Sequence, residues 1–236
     1  MNPYEKLLTR KRKWTPVQTT KGALKYGAEE TVYRALAIRA MECPVGAFVS
    51  DSLSEIPEKS RELLESNIKD EDNHDLALGY IANAIGVDDE AEAEALRLRD
   101  AWIAHPDHTI LKALVIERAI FFVILPFFRF NGDAGLRTVS ADISRDEQIH
   151  VATNSLVCEE LGLKPSQSLD KLRRATINWI MQPLSANADK YLDKKFWLDA
   201  SDRLMYEGKA PQLTETKAAR MPAFFEHANT NLPQYS

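Results

Sequence analysis

The sequence is poor in the residues that mark several broad classes of protein. Its 236 residues include two cysteines, Cys43 and Cys158, too few for a disulfide scaffold or a zinc site and in keeping with a reducing compartment. Nine glycines and eleven prolines, beside 28% charged and 44% hydrophobic residues, exclude a collagen-like or disordered chain. Positive charge is not in excess: 30 Lys and Arg face 35 Asp and Glu, so no overall basic field supports binding to duplex DNA. No nucleic-acid partner is expected. The single basic run, Arg10-Lys11-Arg12-Lys13, reads as a solvated helix face or arm. Long hydrophobic runs are also missing. The most apolar window, residues 119–128, is too short to span a bilayer, and the first residues lack the apolar core of a signal peptide. The expectation is a cytoplasmic protein without a membrane partner.

Helical periodicity dominates from Ala23 onward, and no alternating apolar and polar run is long enough for a sheet, so the predicted class is all-α. The length suits one domain, with residues 1–21 as an N-terminal arm and 208–236 as a loosely ordered tail. A first long helix is predicted over 22–41, kinked or continued at Pro44, and a second from about Ser54 to the stop at Gly86. A more exposed helix over 90–104 follows. The third long helix, 109–130, is apolar on nearly all sides, as at the centre of a bundle. A fourth covers 137–161, and two shorter helices lie near 168–184 and 189–205.

Two Glu-x-x-His motifs carry the chemistry: Glu71-Asp72-Asn73-His74 on the second long helix and Glu147-Gln148-Ile149-His150 on the fourth. Spacing i to i+3 places carboxylate and imidazole on one helix face, where together they can hold a metal. A dinuclear site needs one further carboxylate from each remaining long helix. Glu117 supplies one, since a lone Glu in so apolar a helix is costly to bury ionised without a compensating cation. The first helix offers Glu29, Glu30 and Glu42, and spacing favours Glu42. Hard oxygen donors with two imidazoles favour iron or manganese, as a dinuclear centre able to reduce dioxygen.

These residues resemble the radical-generating small subunit of class I ribonucleotide reductase, a member of the ferritin-like superfamily. Ser144-Arg145-Asp146-Glu147-Gln148-Ile149-His150 looks like that family's Ser-Arg-Asp-Glu-x-x-His signature, and Glu117 followed by Ile120-Phe121-Phe122 is similar to its third-helix Glu and apolar run. Ile56-Pro57-Glu58 ahead of Glu71 and His74 also matches, and counting back from it supports Glu42. The likeness covers roughly residues 4–160. It implies a four-helix bundle with additional helices, a dimetal centre held by Glu42, Glu71, His74, Glu117, Glu147 and His150, and a homodimer. It also implies a large catalytic subunit as partner, to which an oxidising equivalent passes for deoxyribonucleotide synthesis. On the same resemblance Asp146 orients a metal-ligating His, Trp14 joins an electron path with it, and Tyr235 in the C-terminal tail is a candidate relay residue.

One departure from the family is marked. The position one turn beyond the second-helix His, where the family carries its radical tyrosine, is Leu78; Tyr80 points to another face. A tyrosyl radical at the usual site is excluded, so the oxidising equivalent would have to stay on the metals. Phe121, Ile143 and Leu78 would form an apolar wall around them. The alternative is a free-standing dimetal oxygenase with a small organic substrate in the space beside Leu78.

Overall fold

A computed structural model describes residues 1–213, apart from the side chains of Glu42 and Cys43. No strand occurs among the described residues; the only sheet-like pairing there is an isolated bridge between Ser185 and Asp193. No helix of this part is long and apolar enough to cross a membrane.

The core is a ring of four helical columns. The first comprises α2 (Glu29–Ala37), a tight 3-10 turn over Ile38–Met41, and α3 (Glu42–Ser52). The second is α4 (Arg61–Ile85), closed by Gly86 at φ +103°, a conformation that residues with a Cβ rarely adopt. The third runs through α6 (Thr109–Ile116), a π-helical turn Glu117–Phe121, and α7 (Phe122–Asn131). The fourth is α8 (Ala134–Glu160), capped by the Asp133 side chain accepting from Leu136 N–H. Columns α3, α4, α8 and α6 pack in a closed ring. This is the four-helix bundle of the ferritin-like kind, with α1 (Pro3–Leu8), α5 (Asp89–Ala104), α9 (Gln167–Ile180) and α10 (Lys194–Glu207) around it.

The first predicted helix is corrected at its N-terminal end, because α2 starts at Glu29 rather than 22. Residues 22–28 are tethered instead: Gly22 N–H donates to Asp133 Oδ2 at 2.8 Å, Lys25 N–H donates to the Asn131 carbonyl at 2.9 Å, and Gly27 turns at φ +85°. Those contacts to the α7–α8 corner outcompete a helix that periodicity alone favours. Pro44 is absorbed without a break, because it sits in the first turn of α3, where backbone N–H groups have no intrahelical partner. The fourth helix starts three residues earlier than expected, at the Asp133 cap.

Between α1 and α2 the chain forms a strap along α8. It is anchored at one end where Tyr4 donates to Glu160 Oε1 at 3.0 Å, and at the other by Gly22 on Asp133. These anchors lie at opposite ends of α8, so the strap covers its length. Residues 214–236, which include Tyr235 and most of the expected tail, lie outside the described residues.

Candidate metal centre

Glu71 and His74 share a face of α4, Glu147 and His150 a face of α8, and both faces turn into the ring. Glu117 meets them from the start of the π turn. There the Phe122 N–H reaches back to the Glu117 carbonyl, adding one residue to the turn. All five residues are 3% exposed or less, so their charges have no water to compensate them.

Two sets of donors converge. Glu71, His74 and Glu147 bring one ligand atom each within 4.8 Å of one another, and so do Glu71, Glu117 and His150. Glu71 belongs to both sets. His74 Nδ1 lies 3.2 Å from Glu147 Oε1 and 3.5 Å from Glu71 Oε2; His150 Nδ1 lies 3.0 Å from Glu71 Oε1. Four buried atoms here, Glu71 Oε2, both Glu147 carboxylate oxygens and His150 Nδ1, make no hydrogen bond of acceptable geometry. Buried polar atoms left unsatisfied cost about 1–3 kcal/mol each. Hard, mostly anionic donors in this state fit a pair of metal ions.

The electrostatics of the metal-free cluster agree. Burial, reinforced by the Glu147 charge, pushes Glu117 well above the usual carboxylate range. Burial also raises Glu147, with Glu71 adding to the effect against the pull of the histidines. Burial opposes the charge on His150, but Glu147, Asp70 and Glu71 outweigh it and lift the imidazole to about 10. Glu71 goes the other way: despite burial, its contacts with His150 and His74 hold it below the ordinary range. Glu117, Glu147 and His150 therefore hold protons where cations would replace them.

Both histidines present Nδ1 to the cluster and Nε2 to an aspartate. Asp146 Oδ2 lies 3.3 Å from His74 Nε2 and accepts the Trp14 indole N–H at 2.6 Å. Burial works to raise Asp146, but its bonds to His74 and Trp14 prevail and lower it. Arg12 Nε approaches its other oxygen at 3.4 Å. Trp14, half-buried on the strap, stacks on His74 with ring centroids 6.3 Å apart, and His74 stacks on His150 at 5.6 Å.

The remaining candidates fall on either side of what is described. Glu42 is the first residue of α3, one turn before Gly46, where an added Cβ would sit 3.5 Å from Glu71 Cγ; the Glu42 side chain itself lies outside the description. Its rivals are engaged elsewhere: Glu29 accepts from Gly27 N–H, and exposed Glu30 pairs with Arg34. Leu78, Phe121 and Ile143 are buried in the core, and Tyr80 is half-buried. Beside Leu78 and Phe121, with Ala35, Ile124 and Phe128, lies a cavity of about 10 Å³.

Three participants escape a reading of the sequence alone. Asp70 is one, with Oδ2 at 2.9 Å from His150 Nε2. Its signal was available, since Asp70-Glu71-x-x-His74 repeats Asp146-Glu147-x-x-His150. Asn154, one turn beyond His150, donates to Glu117 Oε2 at 2.7 Å. The third is the basic run, corrected here: Arg10 and Lys13 are exposed as expected of an arm, whereas Lys11 and Arg12 turn inward onto aspartates.

No known protein family, curated protein or solved structure matches the chain. Fold and donor set together nevertheless define a class: a ferritin-like helix bundle with a dimetal-carboxylate centre of oxidoreductase type.

Proposed function

We propose that this chain is the small subunit of a ribonucleotide reductase. In that reading Glu71, His74, Glu117, Glu147 and His150, with Glu42 as sixth ligand, hold two ions of iron or manganese. When bound, these ions would activate an oxygen species and store an oxidising equivalent. The equivalent serves a separate large catalytic subunit, and the chain works as a homodimer in the cytoplasm.

The observation that carries the proposal is the line Trp14–Asp146–His74. It joins a half-buried indole on the strap to the innermost donors through one carboxylate oxygen. Such a line suits a centre that exchanges an electron with a partner protein. Asp146 holds the Nε2 proton of His74, which leaves Nδ1 for the cluster, and accepts the Trp14 proton on the same atom. Leu78, Phe121 and Ile143 exclude water on the apolar side, and Tyr235 is a relay candidate toward the large subunit. A free-standing oxygenase needs room for its organic substrate. The space beside Leu78 is about 10 Å³, enough for one water-sized molecule.

The test is to combine the full chain, loaded with iron, manganese or both, with its cognate large subunit and measure deoxynucleotide formation. Turnover dependent on both proteins is expected. Absence of turnover under every metal loading, or oxygen consumption driven by a small organic substrate without a partner, sinks the reading.

A further inference from the structure

The strap makes two contacts with the centre, and only one belongs to the Trp14 line. Lys11 Nζ pairs with Asp70 and also donates to Asn67 Oδ1 at 3.0 Å, both on α4. Arg12, the next residue, pairs with Asp142 at 2.9 Å and approaches Asp146, both on α8. Consecutive cations thus straddle the groove between the two motif helices. Each reaches the aspartate that backs the histidine of the opposite helix: Lys11–Asp70–His150 and Arg12–Asp146–His74. The Lys11 and Asp70 side chains are 10% and 13% exposed, so their pair is shielded from solvent and salt far more than a surface pair.

From this crossing arrangement we infer that Lys11 is a positioning residue for one of the two metal positions, the one formed by Glu71, Glu117 and His150. Lys11, itself held by Asn67 Oδ1, fixes the Asp70 carboxylate from outside; Asp70 accepts the Nε2 proton of His150, and His150 Nδ1 faces Glu71 and Glu117, where it would give up its proton and supply its lone pair when a metal binds. An imidazole without that acceptor is free to rotate and to change tautomer, and outer partners of this type typically govern metal affinity by about 10- to 100-fold. Trp14 and Asp146 do the same for His74, so the strap controls the two positions through separate residues. This inference rests on the dimetal reading of the cluster.

The test is calorimetric titration of the metal-free full chain with Mn(II), with bound metal counted after equilibrium dialysis. The wild type is expected to bind two ions per chain. Lys11→Met is expected to weaken one of the two by about 10- to 100-fold and leave the other unchanged, with Lys11→Arg recovering most of the loss. The metal-free unfolding midpoint of Lys11→Met should move little. Unchanged affinity at both positions, or a loss of metal-free stability with affinity intact, overturns the proposal. If Lys11→Met does not fold, near-isosteric Asp70→Asn decides by the same readout. A wild type that binds no Mn(II) defeats the dimetal reading itself, whereas two ions bound with unchanged affinity in both wild type and variant defeat only the role of Lys11.

Discussion

Asp70 on α4 lies 2.9 Å from His150 on α8, and the contact is mirrored by Asp146 on α8 and His74 on α4 at 3.3 Å. Each motif helix therefore supplies a ligand pair and also the outer partner of the opposite histidine. The two helices cannot shift relative to each other without disturbing both metal positions.

Removing one of these partners should act on one position. Asp146→Ala leaves His74 Nε2 and the Trp14 indole without their shared acceptor. Affinity at the position formed by Glu71, His74 and Glu147 is expected to fall about 10- to 100-fold, read as a change in one of two Mn(II) binding steps. An equal weakening of both steps would contradict the separation.

Asn154 is the hydrogen-bond donor to Glu117, the carboxylate that burial perturbs most strongly upward. Asn154→Ala should destabilise the metal-free protein by about 1–3 kcal/mol, since it strands a buried acceptor. Asn154→Asp should cost more, because it adds a buried acid facing another, and metal should recover part of the loss. Thermal unfolding with and without Mn(II) measures both.

The pH dependence has a definite sign. His150, Glu117 and Glu147 have raised pKa values in the folded metal-free chain, which therefore binds more protons than the unfolded one over neutral and alkaline pH. Stability of the metal-free protein should fall as pH rises toward about 10, the value for His150, whereas the lowered Glu71 and Asp146 act only at acidic pH. Metal replaces the held protons, so Mn(II) affinity should rise with pH, and calorimetry in buffers of differing ionisation enthalpy should detect proton release. Affinity independent of pH between 6 and 9, on the order of the range where His150 stays protonated, would contradict this assignment.

Leu78, buried one turn beyond His74 on α4, lines a cavity of about 10 Å³. Leu78→Ala should cost about 2–5 kcal/mol, with the larger values if the wall of Phe121 and Ile124 does not collapse into the gap. Chemical denaturation of the metal-free variant gives the number. A loss below about 1 kcal/mol would place Leu78 outside the packed core.

Much of this was legible in the residues themselves. Two Glu-x-x-His pairs at helical spacing, and a single Glu in the apolar stretch around residue 117, point to an all-α bundle with carboxylate and imidazole donors in its core. Helical periodicity and i to i+3 spacing are local properties, which a linear sequence carries in full. The same locality explains the errors: periodicity extended the first helix back to 22, where contacts of Gly22 with Asp133 and of Lys25 with Asn131 impose a non-helical course instead.

What only the tertiary structure decided are the relationships that cross between helices. Asp70 serves His150 rather than its own helix's His74, 80 residues separate the two partners, and Lys11 reaches both Asn67 and Asp70 from the strap. Such pairings arise from the packing of α4 against α8 beneath the strap, and no pattern of neighbouring residues encodes which distant side chain will close a hydrogen bond.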